Sequence, residues 1–146
     1  MRMLVSAVIG FAVTAAGAHA SFCIDGHPTL KREYAESYDV IDAKVLRIKM
    51  APYVPFVIKH GERVDPADRV TFTILRSYKH RLAGRFSFDN THSSANFPVD
   101  VGNRYLVFVS RRAKTGKYYV DTCGSSHLYA HEPAETLRTL DRLSEH

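Results

Sequence analysis

Apolar and polar residues alternate with a period of two along most of this chain, and the breaks in that alternation are informative. In residues 39–49, "DVIDAKVLRIK", Ile41, Ala43 and Val45 alternate with Asp42 and Lys44. The parity then switches, and Leu46 and Ile48 stand against Arg47 and Lys49. A slip of one residue turns the buried face of a strand outward, so the pattern predicts a strand with a bulge near Val45–Leu46. "RVTFTILRSY" places Val70, Phe72 and Ile74 on one face, and "RFSFD" does the same with Phe86 and Phe88. "RYLVFVS" is apolar on both faces and predicts a central strand. A "RRAKTGK" turn, with Gly116 available for a positive φ, joins it to "YYVDTC" as a hairpin. The three prolines of "PYVPFVIKHGERVDPADR" demote Tyr53 to Ile58 to an edge strand leading into a long loop. Asp39 and Asp42 lie in or beside a strand, where a charged solvent face is the simplest account.

Two short stretches carry a helical period instead. Pro28 precedes Thr29, a residue able to cap, and Leu30, Tyr34 and Tyr38 recur every four residues, which predicts a helix over 29–37. In "EPAETLRTLDRL" Pro133 suits the first turn, and Glu132 and Glu135 precede Arg138 and Arg142 in the order the helix dipole favours. Ala134, Leu137, Leu140 and Leu143 form its apolar stripe. Five or six strands with one helix early and one late predict a mainly β fold, a small closed barrel rather than a sandwich.

The first twenty residues break with all of this. Arg2, the apolar run Leu4 to Ala16 and the small-x-small Ala18-His19-Ala20 have the order of a signal peptide. The apolar run is too short and too broken to be a membrane span. A buried N-terminal helix is the competing reading, and the flanking residues argue against it. The expectation is therefore a leader over 1–20 and a single domain over 21–146, secreted or periplasmic, with no transmembrane segment after cleavage. The whole chain of 146 residues has a formal charge of +5. Such a mild excess favours solubility and weak attraction to anionic surfaces and does not argue for nucleic acid. The two cysteines, Cys23 and Cys123, are expected to pair, since an oxidising compartment leaves few thiols free. Two free buried thiols are the other reading.

The order of landmarks resembles a known family. A cysteine near the start of the mature chain and a short helical segment are followed by "YAESYDVIDAKVLRI", "VTFTILRSYKHRLAG", "VGNRYLVFV", "YYVDTCGSS" and "LRTLDRL". This series resembles the netrin-like, or tissue inhibitor of metalloproteinases-like, domain in its short bacterial exported form, and it covers nearly the whole mature chain. The resemblance implies an OB-fold barrel. The family opens with Cys-x-Cys; here Ser21 stands in the first place and Cys23 in the second. The usual partner of the first cysteine falls near "ANFPVDVG", where Phe97 is the closest match, and the partner of the second falls at Cys123. One bridge is thus lost as a pair and the other kept as a pair. In the animal inhibitors the N-terminal residue chelates the protease zinc through its α-amino group and carbonyl. Ser21 has the same backbone groups, but the bridge that would hold them in place is missing.

The resemblance implies a non-enzymatic module that meets a protein partner, with metalloprotease inhibition as its sharpest form. The expected contact surface is Ser21, Phe22, Cys23 and Ile24 together with Gly124, Ser125 and Ser126. An alternative is a structural, envelope-associated domain that binds an anionic glycan or lipid surface through the basic cluster Arg104, Arg111, Arg112, Lys114 and Lys117. Tyr118 and Tyr119 are close enough to serve it as stacking platforms, while a charged edge that blocks strand pairing is the plainer account. No cofactor, metal site or catalytic residue is expected. The histidines are scattered, and His127 and His131, four apart, flank a helix instead of lying within one. Ser125 and Ser126 beside His127 make no dyad, because nucleophile and base must converge in space.

Overall fold

Residues 28–52, 54, 56–93 and 96–146 are described by a computed structural model. Its elements in chain order are α1 (Leu30–Glu36), β1 (Asp39–Lys49), β2 (Val57–Lys59), β3 (Glu62–Val64), β4 (Ala67–Ser77), β5 (Arg85–Thr91), β6 (Arg104–Arg111), β7 (Tyr118–Val120), β8 (His127–Leu128), a 3-10 turn (Tyr129–His131) and α2 (Ala134–Ser144). The main sheet is antiparallel and runs β5-β4-β1-β6-β7, with the short β8 also paired to β6. It curls into a half-barrel. Among the described residues no ladder joins β5 to β7, and the Phe86 and Tyr118 rings meet across that gap with centroids 5.4 Å apart.

The curl begins in β1, which pairs with β4 through residues 41–49 and with β6 through residues 39–44. The bulge expected near Val45–Leu46 is there: Val45 pairs with Phe72 and Arg47 with Thr71, so Leu46 is left without a partner and exposed. A second irregularity lies on β4, where Ile74 and Arg76 pair with Ala43 and Asp42, and the skipped Leu75 also points to solvent. Each extra residue bends its strand and increases the local twist, which lets a single strand serve both halves of a barrel.

β6 separates two cores, and its period of two explains how. Tyr105, Val107 and Val109 face the barrel interior with Ile41, Ala43, Val45, Val70, Phe72, Phe86 and Phe88. Leu106 and Phe108 face the other way, onto Val40, Tyr78 and Leu140, with Leu30 and Tyr34 of α1 packed beside them. The interior is an aromatic stack in which Phe72 lies near-parallel to Phe86 and Phe88 and meets Tyr105 edge-on. Fully burying such a ring contributes about 2–3 kcal/mol. Phe97 adds its own ring against Tyr105, and the Asn90 amide clamps both its backbone N–H and its C=O.

Both helices end close to their expected places. Thr29 caps α1, its hydroxyl accepting from the Arg32 N–H. In α2 only Leu140 of the expected stripe is fully buried, with Leu137 and Leu143 half-buried and Ala134 exposed. The proline-rich segment differs more. Instead of an edge strand on the main sheet, Val57–Lys59 and Glu62–Val64 form a separate hairpin through a His60–Gly61 turn in which both residues have positive φ. A two-residue turn of that kind matches the twist of its flanking strands.

Candidate functional site

Three carboxylates hold the molecule's loops in place, and all three are buried. Asp39 is fully enclosed and accepts from the N–H groups of Val40, Lys79, Arg81 and Leu82 and from the Ser77 hydroxyl, at 2.7–3.1 Å. These bonds fix the loop after β4, where His80 takes a positive φ of 58°. Asp42 lies on the opposite face of β1 and receives a two-pronged contact from Arg104, whose guanidinium carbon sits 3.8 Å from the centroid of Tyr129. The expectation of a charged solvent face for Asp39 and Asp42 is therefore corrected: both are interior and hydrogen-bonded. Alternation alone could not reveal this, because the burying groups come from residues 77–82 and from Arg104. A buried carboxylate needs such partners.

The third carboxylate, Glu33 of α1, builds the candidate site. Its two oxygens accept from the backbone N–H of Ser125 at 2.8 and 2.9 Å. A Cβ at residue 124 would lie 2.2 Å from Glu33 Oε1, so this approach requires Gly124. The next residue is fixed too, since the Ser126 hydroxyl accepts from the Phe108 N–H at 2.8 Å. Gly124, Ser125 and Ser126 thus form a turn pinned to α1 on one side and to β6 on the other. The first turn of α1 gives no sequence sign of this task, because an acidic residue there is ordinary dipole chemistry.

His127 follows the turn. Its Nδ1 lies 2.6 Å from the Ser125 carbonyl oxygen and therefore carries a proton. Its Nε2 lies 2.6 Å from Glu132 Oε2, a side chain only 1 % exposed, in a close contact without hydrogen-bond alignment. Glu132, expected at the positive end of α2, instead ties β8 to the start of that helix. His127 faces a carbonyl and a carboxylate, so neither Ser125 nor Ser126 meets it through a hydroxyl. Beside the turn is a cleft of about 320 Å³ whose walls include Phe97, Tyr105, Thr122, Ser126, His127 and Leu128.

The other expected site residues divide. Ser21, Phe22, Cys23 and Ile24 lie outside the described residues, and so does one half of the expected bridge. Cys123, in the turn after β7, donates its N–H to Asp121 Oδ1, and no free cysteine occurs among the described residues. The basic cluster does not stay whole. Arg104 opens β6 and is locked onto Asp42, while Arg111 closes it, roughly 20 Å away at about 3.3 Å per residue. Arg111, Arg112, Lys114 and Lys117 remain together on the exposed β6–β7 hairpin. Among the described residues no group of His, Cys, Asp and Glu is arranged to hold a metal ion, and no helix is long and apolar enough to cross a membrane. No protein-family model matches the chain, and no curated protein matches it.

Proposed function

We propose that this chain is an exported, non-enzymatic binding module of the netrin-like type that engages a protein partner. Its contact surface is the Gly124–Ser126 turn together with the segment Ser21 to Ile24, which a Cys23–Cys123 bridge would hold beside it. The observation that carries the reading is the immobilised turn, fixed by Glu33 and by Ser126 before any partner arrives. A contact loop already ordered in the free protein loses little entropy on binding, and this preorganisation raises affinity. The neighbouring cleft has apolar walls and a few polar groups, suited to one inserted partner side chain.

Metalloprotease inhibition is the sharpest form of this function. The α-amine and carbonyl of Ser21 would take the open position of a catalytic zinc. An α-amine titrates near 8 and is partly neutral at neutral pH. The test is titration of secreted metalloproteases with protein beginning at Ser21 and with protein carrying one additional N-terminal residue. Stoichiometric inhibition by the first alone is expected. Equal inhibition by both rejects the zinc-chelating mechanism, and inhibition by neither rejects this class of partner.

A further inference from the structure

Seven arginines of this protein divide into two groups by what they touch. Arg32, Arg69, Arg76 and Arg104 each meet a carboxylate. Arg81, Arg111 and Arg112 meet tyrosine rings instead, and among the described residues no carboxylate lies within ion-pair distance of them. Arg81 and Arg111 share one ring: their guanidinium carbons lie 5.3 and 5.5 Å from the Tyr38 centroid. Arg111 also lies 5.8 Å from Tyr118, which contacts Tyr38 at 5.3 Å, and Arg112 lies 5.4 Å from Tyr119.

This surface is assembled from three separate parts of the chain, and each is held. The Tyr38 N–H donates to Val109 O at 2.7 Å. The Arg81 backbone N–H donates to the buried Asp39. Arg111 Nε donates to Gly116 O at 3.2 Å, and the Arg112 N–H donates to Lys117 O at 2.9 Å. The three arginines are exposed. The centre is therefore Tyr and Arg, while Lys114 and Lys117 lie outside it along the turn.

We infer that this is a second interaction surface, for an acidic segment of a partner protein. Guanidinium forks match carboxylates in two-pronged geometry, and attraction to a ring within cation–π distance orients them in advance. Tyr and Arg at the centre with lysines at the rim is the anatomy of a protein-binding hot spot. Insertion into a bilayer would call for exposed aliphatic side chains here. The large exposed aliphatics lie elsewhere, at residues 46, 50, 54, 57, 58, 64, 75 and 101. The surface uses none of the turn residues 124–126 and stands independently of the function proposed for them.

The test measures fluorescence anisotropy of a labelled peptide of alternating Glu and Leu, with the Lys-for-Glu peptide as control. Alginate and phosphatidylglycerol-containing vesicles are compared with it as competitors. Saturable binding of the acidic peptide alone is expected, weakened at least about tenfold in Arg81→Ala/Arg111→Ala. Arg111→Lys, which keeps the charge and loses the fork, should also bind more weakly. Thermal melts of the variants confirm that they fold, and Arg112→Ala supplies a third, separate site. Absence of peptide binding overturns the inference, as does binding unchanged in the double variant or fully restored by lysine. A preference for alginate or for vesicles over the peptide overturns it in favour of a polysaccharide or a lipid surface.

Discussion

The two ends of β6 carry the same side chain in opposite states. At its start, Arg104 is clamped to a buried aspartate and covers Tyr129. At its end, Arg111 lies over Tyr38 and Tyr118, and among the described residues no carboxylate lies within ion-pair distance of it. The first guanidinium, half-exposed, closes over a buried carboxylate; the second lies exposed over two tyrosine rings. A cluster of basic residues along a sequence is thus no unit of function. What decides each residue's role is whether the fold supplies its counter-charge.

The sharpest way to break this contrast is Arg104→Ala. It leaves Asp42, only 3 % exposed, as an unpartnered buried carboxylate, which costs about 3 kcal/mol. Urea unfolding should show that loss, while Arg111→Ala leaves the midpoint nearly unchanged. Equal effects at the two ends would dissolve the distinction. Gly124→Ala comes next, at about 2 kcal/mol, because the new Cβ displaces Glu33 from the Ser125 N–H. In Glu33→Ala the same glycine substitution should become almost neutral, and a double-mutant cycle measures that coupling.

The phenols sharpen the contrast further. Burial pushes Tyr78, on the Arg104 side of the sheet, up from 10.0 to about 12. The folded protein therefore keeps that proton where an unfolded tyrosine loses it. The resulting stability is whole below pH 10 and is lost as pH rises through about 12. Absorbance titration of tyrosinate should show a phenol titrating near 12 that disappears in Tyr78→Phe. The smallest effect belongs to the open end. Burial, then the hydrogen bond and charge of Tyr38, raise Tyr118, and Arg111 pulls it partly back. Arg111→Ala should move Tyr118 further up, read as the difference from the same variant carrying Tyr118→Phe; no movement would mean that the guanidinium does not face the ring.

Much of the frame was legible along the chain because it rests on period. Strand β1 and its bulge, the two-faced β6 and the Gly116 turn follow from alternation and glycine placement. A mainly β, curled sheet with an early and a late helix follows from their order, while the expected closure is not made: among the described residues no ladder joins β5 to β7. The pinned turn was only half legible. The resemblance points to Gly124 and the two serines as contact residues, but their holder, Glu33, lies 92 positions from Ser125 and looks like any acidic residue in a first helical turn. Asp39 and Asp42 read as solvent-facing for a related reason: alternation tells which face a residue is on, not whether a distant loop or arginine will cover that face. The separate hairpin at 57–64 escaped because prolines argue against a place in the main sheet and say nothing of pairing elsewhere.

Lys79 completes the loop that Asp39 organises, and its ammonium donates to the carbonyl oxygens of Tyr34, Ala35 and Ser37 at the end of α1. Seven residues are too few for a helix to persist alone in water. The helicity of α1 is therefore on loan from a loop some forty residues downstream. A single proteolytic nick between Lys79 and Leu82 would release the far end of α1 and, through Glu33, the turn at Gly124.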